Sequence, residues 1–547
     1  MQKSIISEAT KVVNATKTIN AFTSADKARG ITKEEFSKAI DTMLQRLPQL
    51  AKQEKVAVAF SGGSDSLALL KCAAEYYTPQ RVVAISIDHA ISGEIEGEVA
   101  SLLPPGVELV GRRVDWGREI REHQPATNKF EMLARDLRYK LMGEECEKRG
   151  INLLLVGHHR DDDLATMFYR AGRGSGIDGL AGMRMISPLP VISPHAGRLD
   201  SRNRAVGVFL GRPLLNFSKE RLIATLGELT PIHDSFNDRS EFLRNGINQT
   251  LAKVTQEIPK EDLEHFLESM KLLRNHSINQ VKSLMRKSVI LDRQNASATI
   301  ILNSPDLLTR PSFKPLFIRS INLLLQYSAA LPKPVKSVRL TELYHNMQRS
   351  YNKFVREDAR RRARLPIDFE STPIDQTKRI DTSAYALGGG LISPLSRTDT
   401  VRRVAVHNKT ASPPLEYGPG FMVQSERLSR NEQTFSAEFT PASFVLYDKR
   451  IFLRPLKPVD SRMDWRIEPL TVDSVKKYRG RLNMTGLLMD TPMTCLFNLP
   501  LVIGEMDGVV EYAALPTINS QWSRDGRTVQ WQVIHAGESI ITSKLFY

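Results

Sequence analysis

Residues 61–66, Ser-Gly-Gly-Ser-Asp-Ser, hold the most informative side chains of this 547-residue chain. Ser61, Ser64 and Ser66 offer hydroxyl donors, and Gly62 and Gly63 let the backbone come close and take positive φ. An apolar run, Val56 to Phe60, precedes them and reads as a buried strand, and Leu67 to Ala74 reads as a helix. A strand, a Gly-Ser turn and a helix start aim free backbone N–H groups at an anion. Asp65 would repel a phosphate unless a cation sits between them, which points to a Mg²⁺-bound nucleotide. A second cluster, Gly157-His158-His159-Arg160-Asp161-Asp162-Asp163, follows another apolar run. Its two histidines and three aspartates suit a divalent metal, phosphate orientation or acid–base work, or else a helix N-terminus whose dipole favours carboxylates.

The elements that must position these residues alternate between strand and helix. Apolar runs at 81–89 (ending in Asp88-His89), 107–116 and 151–159 are interleaved with helical patterns, the longest at 129–150. This alternation predicts an α/β fold with a doubly wound parallel sheet, in which ligands bind at the carboxyl ends of strands. SGGSDS, Asp88-His89 and Gly157-His158-His159 all fall at such ends. The reading divides the chain into an N-terminal extension (1–50), an ATPase-like domain (51–225), a helical region (226–365), a Pro/Ser/Thr/Gly-rich linker or insertion (366–433) and a small C-terminal β-rich domain (434–547). In the last, Asp507-Gly508 between apolar runs reads as a hairpin turn.

Bulk properties bound the function. Lys and Arg number 76 against 61 Asp and Glu, a net charge of +15, which favours a polyanionic partner such as RNA or DNA. The basic helix at 348–366, with Arg356, Arg360, Arg361, Arg362 and Arg364, is a candidate phosphate grip; a solvated face is the plainer alternative. Three scattered cysteines form neither a zinc pattern nor a disulfide framework, and no apolar run reaches the length of about eighteen residues that spans a bilayer. The Ser/Thr/Lys-rich N-terminus, with Glu8 its only acid before Asp26, sets the expectation of a mitochondrial chain, with the cytoplasm as alternative.

SGGSDS lacks the GxxxxGK[ST] of kinases and GTPases and resembles the SGGxDS loop of PP-loop ATP pyrophosphatases. Within that superfamily, LLVGHHRDDDLATMFYRAGRGSGIDGLAGM (154–183) is similar to the GHHxDDQxET…RGSGxxGLxGM stretch of tRNA(Ile)-lysidine synthetases. Other pieces follow in order: Asp88-His89; the helix carrying Glu131, Ala134, Arg135, Arg138 and Tyr139; Arg212-Pro213-Leu214-Leu215; and Asp234 to Asn245, with Asn237, Arg244 and Asn245. The resemblance covers residues 55–250 and suggests an organellar member of the family.

The resemblance implies a two-step reaction. ATP adenylates the oxygen on carbon 2 of the wobble cytidine of an isoleucine tRNA with a CAU anticodon, and free L-lysine then displaces AMP. It implies that Ser61 to Ser66 hold ATP phosphates, that Asp65 reaches Mg²⁺, and that Asp65, His159, Asp162 and Arg173 are catalytic. Asp162 and Asp163 become candidates for the lysine ammonium. Asp88, His89, Glu131, Arg135, Arg138, Tyr139, Arg212, Asn237, Arg244 and Asn245 become substrate-binding residues. This chain departs from the pattern at Ala165 (Glu in the family), Asp163 (Gln), Ile91 (Arg) and Gln249 (Arg). The alternatives are another PP-loop tRNA-modifying enzyme, such as a thiolase, whose usual paired cysteines are missing, or a degenerate paralogue that binds tRNA without modifying it. Oligomeric state is left open.

Overall fold

The computed structural model describes residues 29–88, 96–114, 128–189, 199–200, 207–232, 251, 254–292, 296–302, 306–329, 335–364, 385–387, 390–395, 400, 420–425, 437–438, 445–447, 451–478, 480–482 and 499–535. They fall into two compact units, one drawn from residues 1–193 and 204–278, the other from 194–203 and 279–545.

Unit one is built on six strands, β1 (Val56–Ala59), β2 (Val82–Asp88), β3 (Glu108–Arg113), β4 (Leu153–Leu155), β5 (Ile186–Pro188) and β6 (Phe209–Gly211). Their order is β3-β2-β1-β4-β6-β5, parallel throughout except that β5 runs antiparallel to β6. The inner strands are short runs of Val, Ala, Ile and Leu because both faces are covered. One face packs on α1 (Lys33–Leu44), α2 (Ser64–Tyr77) and α6 (Lys219–Leu226) through Phe36, Ile40, Met43, Val58, Leu67, Leu70 and Leu222. The other packs on α4 (Asn128–Lys148) through Tyr139, Met142 and Cys146 against Ala57, Ile85 and Leu154. Further helices include α3 (Glu96–Ser101), α5 (Arg160–Ala171) and α7 (Lys260–Ser288), the last of which continues from unit one into unit two. The doubly wound sheet read from the sequence is therefore present. The chain leaves β1 toward β2 on one side and later returns to place β4 on the other, so the switch point lies between β1 and β4.

Three boundaries differ from the sequence reading. Residues 33–44, assigned there to an extension, form α1, which Thr32 and Glu35 start with a capping box and whose apolar face enters the unit-one core. In the region read as helical, Val289–Asp292 and Ser297–Ile301 are strands. Within 366–433, read as linker, Tyr385–Leu387, Gly390–Leu395 and Gly420–Ser425 join them in one five-stranded antiparallel sheet. Ile392, Phe421 and Val423 bury fully there, an apolar content hidden by the surrounding Pro, Ser and Gly.

Unit two continues with α8 (Lys314–Ala329) and α9 (Ser337–Arg364), followed by two further sheets of five and four strands. Tyr447, Ile451 and Leu453 of one sheet share a core with Trp465, Ile467, Val502 and Tyr512 of the other. Asp507 and Gly508 both take positive φ between Pro500–Met506 and Val509–Leu515, the hairpin turn expected of an Asp-Gly pair. Among the described residues no helix is long and apolar enough to cross a membrane.

Candidate nucleotide-binding site

The site forms where β1 and β4 end, on either side of the switch point. Gly62 turns the chain with φ +78°, and a Cβ there would lie 2.6 Å from Ile232 Cδ1. Gly63 instead has an ordinary extended backbone, φ −68°, so positive φ is needed at the first glycine only. Ser66 folds the loop back on itself: its Oγ donates to Gly63 O (2.9 Å) and accepts the Ser61 N–H (3.2 Å). Ser64 and Asp65 fall in the first turn of α2, whose early N–H groups lack intrahelical partners. Gly157 lets the β4 end approach this turn closely, since a Cβ there would be 3.0 Å from Asp65 O.

His159, after β4, is the N-cap of α5, and Asp162 completes a capping box by accepting the His159 N–H at 3.1 Å. The buried His159 ring meets three carboxylates: Nε2 is 3.7 Å from Asp65 and 3.6 Å from Asp162, and Nδ1 is 3.4 Å from Asp161. Burial opposes its protonation most strongly, yet Asp161, Asp162 and Asp65 together outweigh it and hold the imidazole pKa above its ordinary value. Nδ1 also lies 3.3 Å from the Asp161 N–H. A neutral ring accepts that bond and caps the helix; an imidazolium donates to the carboxylate instead. Asp161 is held well below the usual carboxylate range: burial works against this, and His159, Lys260 and the Lys219 N–H overcome it. Lys260 Nζ sits 2.5 Å from Asp161 Oδ1, and the Lys219 N–H donates to Oδ2 at 3.1 Å.

Lys219, the first residue of α6, is absent from the sequence reading. Its Nζ donates to Ser64 Oγ (2.8 Å) and Asp65 Oδ1 (2.5 Å). A lone lysine after Phe217-Ser218 carries no spacing signal, so only the fold brings it to the loop.

Asp163, offered in the sequence reading to a lysine ammonium, is fully buried and corrected to a structural role. Its Oδ1 accepts the Met183 N–H, and its Oδ2 pairs with Lys271 Nζ at 3.0 Å. The half-buried Arg170 and the buried Arg274 and Arg212 grip neighbouring carbonyls of the same glycine-rich loop: Arg170 on Gly182 (2.7 Å), Arg274 on Ala181 (3.0 Å) and Arg212 on Arg184 (3.0 Å). Burial pushes all three guanidinium pKa values down. Arg212 thus braces the loop from inside.

Of the other sequence candidates, Arg135 and Tyr139 lie close enough to Arg212 to act on its charge. Asp88, at the β2 end, pairs with Arg113 at 3.4 Å. Arg135 and Arg138 lie over the ring of the buried Tyr139, 5.1 and 5.7 Å from its centroid. The exposed Arg173 stacks on Tyr169 at 5.2 Å, with no bond to the SGGSDS loop among the described residues. His89, Asn237, Arg244 and Asn245 lie outside the described residues, as does the side chain of Glu131. Among the described residues no group of three or more His, Cys, Asp or Glu is arranged to hold a metal by itself.

Residues 32–255 match the family description of a PP-loop domain. The tRNA(Ile)-lysidine synthase of Wolbachia pipientis wMel is 31% identical over 216 residues, 38% of this chain and 45% of that protein. That of Hyphomonas neptunium is 33% identical over 248 residues, 44% of this chain and 62% of that protein. The chain spans about half the length of the curated relatives it matches. Among solved structures, the U34-tRNA thiolase NcsA from Methanococcus maripaludis aligns over 43% of this chain and 80% of that one, at 17% identity and a TM-score of 0.30, too low to bear on function. With its parallel sheet, its SGGSDS turn and these relatives, the chain carries a PP-loop domain homologous to that of the tRNA(Ile)-lysidine synthases.

Proposed function

We propose that the protein is an ATP-dependent ligase that joins lysine to carbon 2 of the wobble cytidine of an isoleucine tRNA with a CAU anticodon. The observation that carries this reading is the Ser61–Ser66 turn at the β1 end, faced by His159 and Lys219 and set in a domain related to lysidine synthases. The cytidine oxygen attacks the α-phosphorus of ATP and pyrophosphate leaves; the lysine ε-amine then attacks carbon 2, AMP leaves and a proton is released.

The chain's residues suit these steps. The N–H groups opening α2, with Ser61, Ser64 and Ser66, receive β- and γ-phosphate oxygens. A protonated His159 and Lys219 add positive charge beside the departing pyrophosphate. Mg²⁺ takes one or two carboxylates when phosphates complete its shell. Asp65, a third exposed with one oxygen 3.7 Å from His159, supplies one such carboxylate and fits that need. There Mg²⁺ would neutralise phosphate charge. Asp162 is partly engaged in capping α5, so we assign it to orienting His159 as well as to lysine. The N-terminal composition supports a mitochondrial location.

The test is incorporation of radiolabelled lysine into isoleucine tRNA bearing CAU, against the same tRNA with another wobble base. ATP- and tRNA-dependent incorporation confined to the cytidine substrate is expected. Incorporation that ignores the wobble base, or none from an active preparation, refutes the assignment.

A further inference from the structure

Lys219 carries an inference of its own, which rests on reading Ser61–Ser66 as a pyrophosphate loop. Its backbone is fixed: the N–H is bound to Asp161 Oδ2, and α6 is anchored by Leu222 and Leu226 in the core that also holds Leu67 and Leu70 of α2. Its ammonium is not fixed in the same way. Lys219 and Asp65 are each about a third exposed, at 35% and 33%. A partly solvated pair of this kind is held weakly enough to exchange partners, unlike the pair of Lys271 with the fully buried Asp163. Lysine is also the right cation for a move, a compact charge on a flexible four-carbon stem.

We propose that Lys219 is a mobile counter-charge that pairs with Asp65 and transfers to a pyrophosphate oxygen when nucleotide arrives with its metal. The geometry places Nζ between Ser64 Oγ (2.8 Å) and Asp65 Oδ1 (2.5 Å), at the turn where both phosphate and cation must be received. A divalent cation binding Asp65 repels the ammonium, while the incoming phosphate attracts it, so both changes drive the side chain the same way. While paired with Asp65, the lysine shields it and disfavours metal without phosphate. In the loaded loop it adds a charge-assisted bond to the anion. Lys219 is thus a positioning residue before nucleotide binding and a ligand-binding residue after it.

This predicts effects of opposite sign from one substitution. Lys219→Met keeps the stem and removes the charge; Lys219→Gln removes the charge and keeps a donor for Ser64. Using the full chain, Mn²⁺ binding without nucleotide is followed by electron paramagnetic resonance, and inorganic pyrophosphate binding in excess Mg²⁺ by calorimetry. Both variants are expected to bind Mn²⁺ more tightly than the parent and pyrophosphate about tenfold more weakly. A merely structural lysine would weaken both ligands or neither. Unchanged or weaker Mn²⁺ binding, or unchanged pyrophosphate affinity, in whichever variant folds overturns the proposal. A parent chain that binds no pyrophosphate removes the loop reading itself and this inference with it. A parent that binds it while the variants behave like the parent removes the inference alone.

Discussion

His159 is held between two bonding states of one ring. As a neutral N-cap it accepts the Asp161 N–H; as an imidazolium it faces Asp65, Asp161 and Asp162. Its folded pKa is raised, so the stabilisation is fully present below the unfolded value of about 6.5 and is lost as pH rises through the folded pKa. The melting-temperature advantage of the parent over His159→Gln should therefore be largest in mild acid and shrink as pH rises; an advantage that grows with pH contradicts the carboxylate cage. Asp65→Ala should end tRNA-dependent AMP formation with little change in melting temperature, because Asp65 is partly exposed and outside the core. AMP formation at the parent's rate would remove Asp65 from the machinery. The serines and glycines of the turn were legible because their spacing is local and their chemistry depends on the backbone they shape. Lys219, far along the chain, was not, since its role exists only once α6 packs on α2.

At the scale of elements, α5 is a switchboard whose first turn splits four acid–base neighbours into different tasks. His159 and Asp162 cap it, Asp161 ties it to α6 and α7 through Lys219 and Lys260, and Asp163 turns inward to Lys271 and Met183. The sequence singled out Asp162 by resemblance alone; burial and partners separate the three aspartates in the fold. Asp163→Ala leaves the Met183 N–H without its acceptor and Lys271 with Glu268 alone, and should cost about 1–3 kcal/mol. Asp163→Asn keeps an acceptor for Met183 and should cost less than Asp163→Ala. Urea unfolding of the chain and both variants checks this, and a loss under about 1 kcal/mol for Asp163→Ala would mean that the pair does not brace the loop. The parallel strands were readable because runs such as Val82–Ile87 are apolar on both faces. Gly390–Leu395 and Gly420–Ser425 were not, because their short apolar runs sit among Pro, Ser and Gly and become strands by pairing with each other and with Ser297–Ile301.

For the whole molecule, the charge balance of +15 calls for a partner of opposite sign. Part of that charge is organised. Along α9, Arg339, Arg349, Lys353 and Arg356 are exposed, while Leu340, Leu343, Met347 and Tyr351 bury on the opposite side. The arginines at 360–362 and 364 continue the same helix, with side chains outside the described residues. A row of cations on one rigid helix matches the spaced phosphates of a folded RNA better than a small ligand. Replacing Arg339, Arg349, Lys353 and Arg356 together by Gln preserves helix propensity and removes four charges. Binding of isoleucine tRNA, titrated from low to physiological salt, should weaken at every concentration. The slope of log affinity against log salt should flatten by about 0.7–0.9 for each phosphate that is no longer neutralised. Pyrophosphate affinity should hold, because the SGGSDS loop belongs to unit one and α9 to unit two. If tRNA affinity and its slope both stay at the parent's values, the basic row is a solvated face and the tRNA is gripped elsewhere. A fall in pyrophosphate affinity alongside tRNA would instead mean that the substitutions disturb the fold rather than the grip on tRNA.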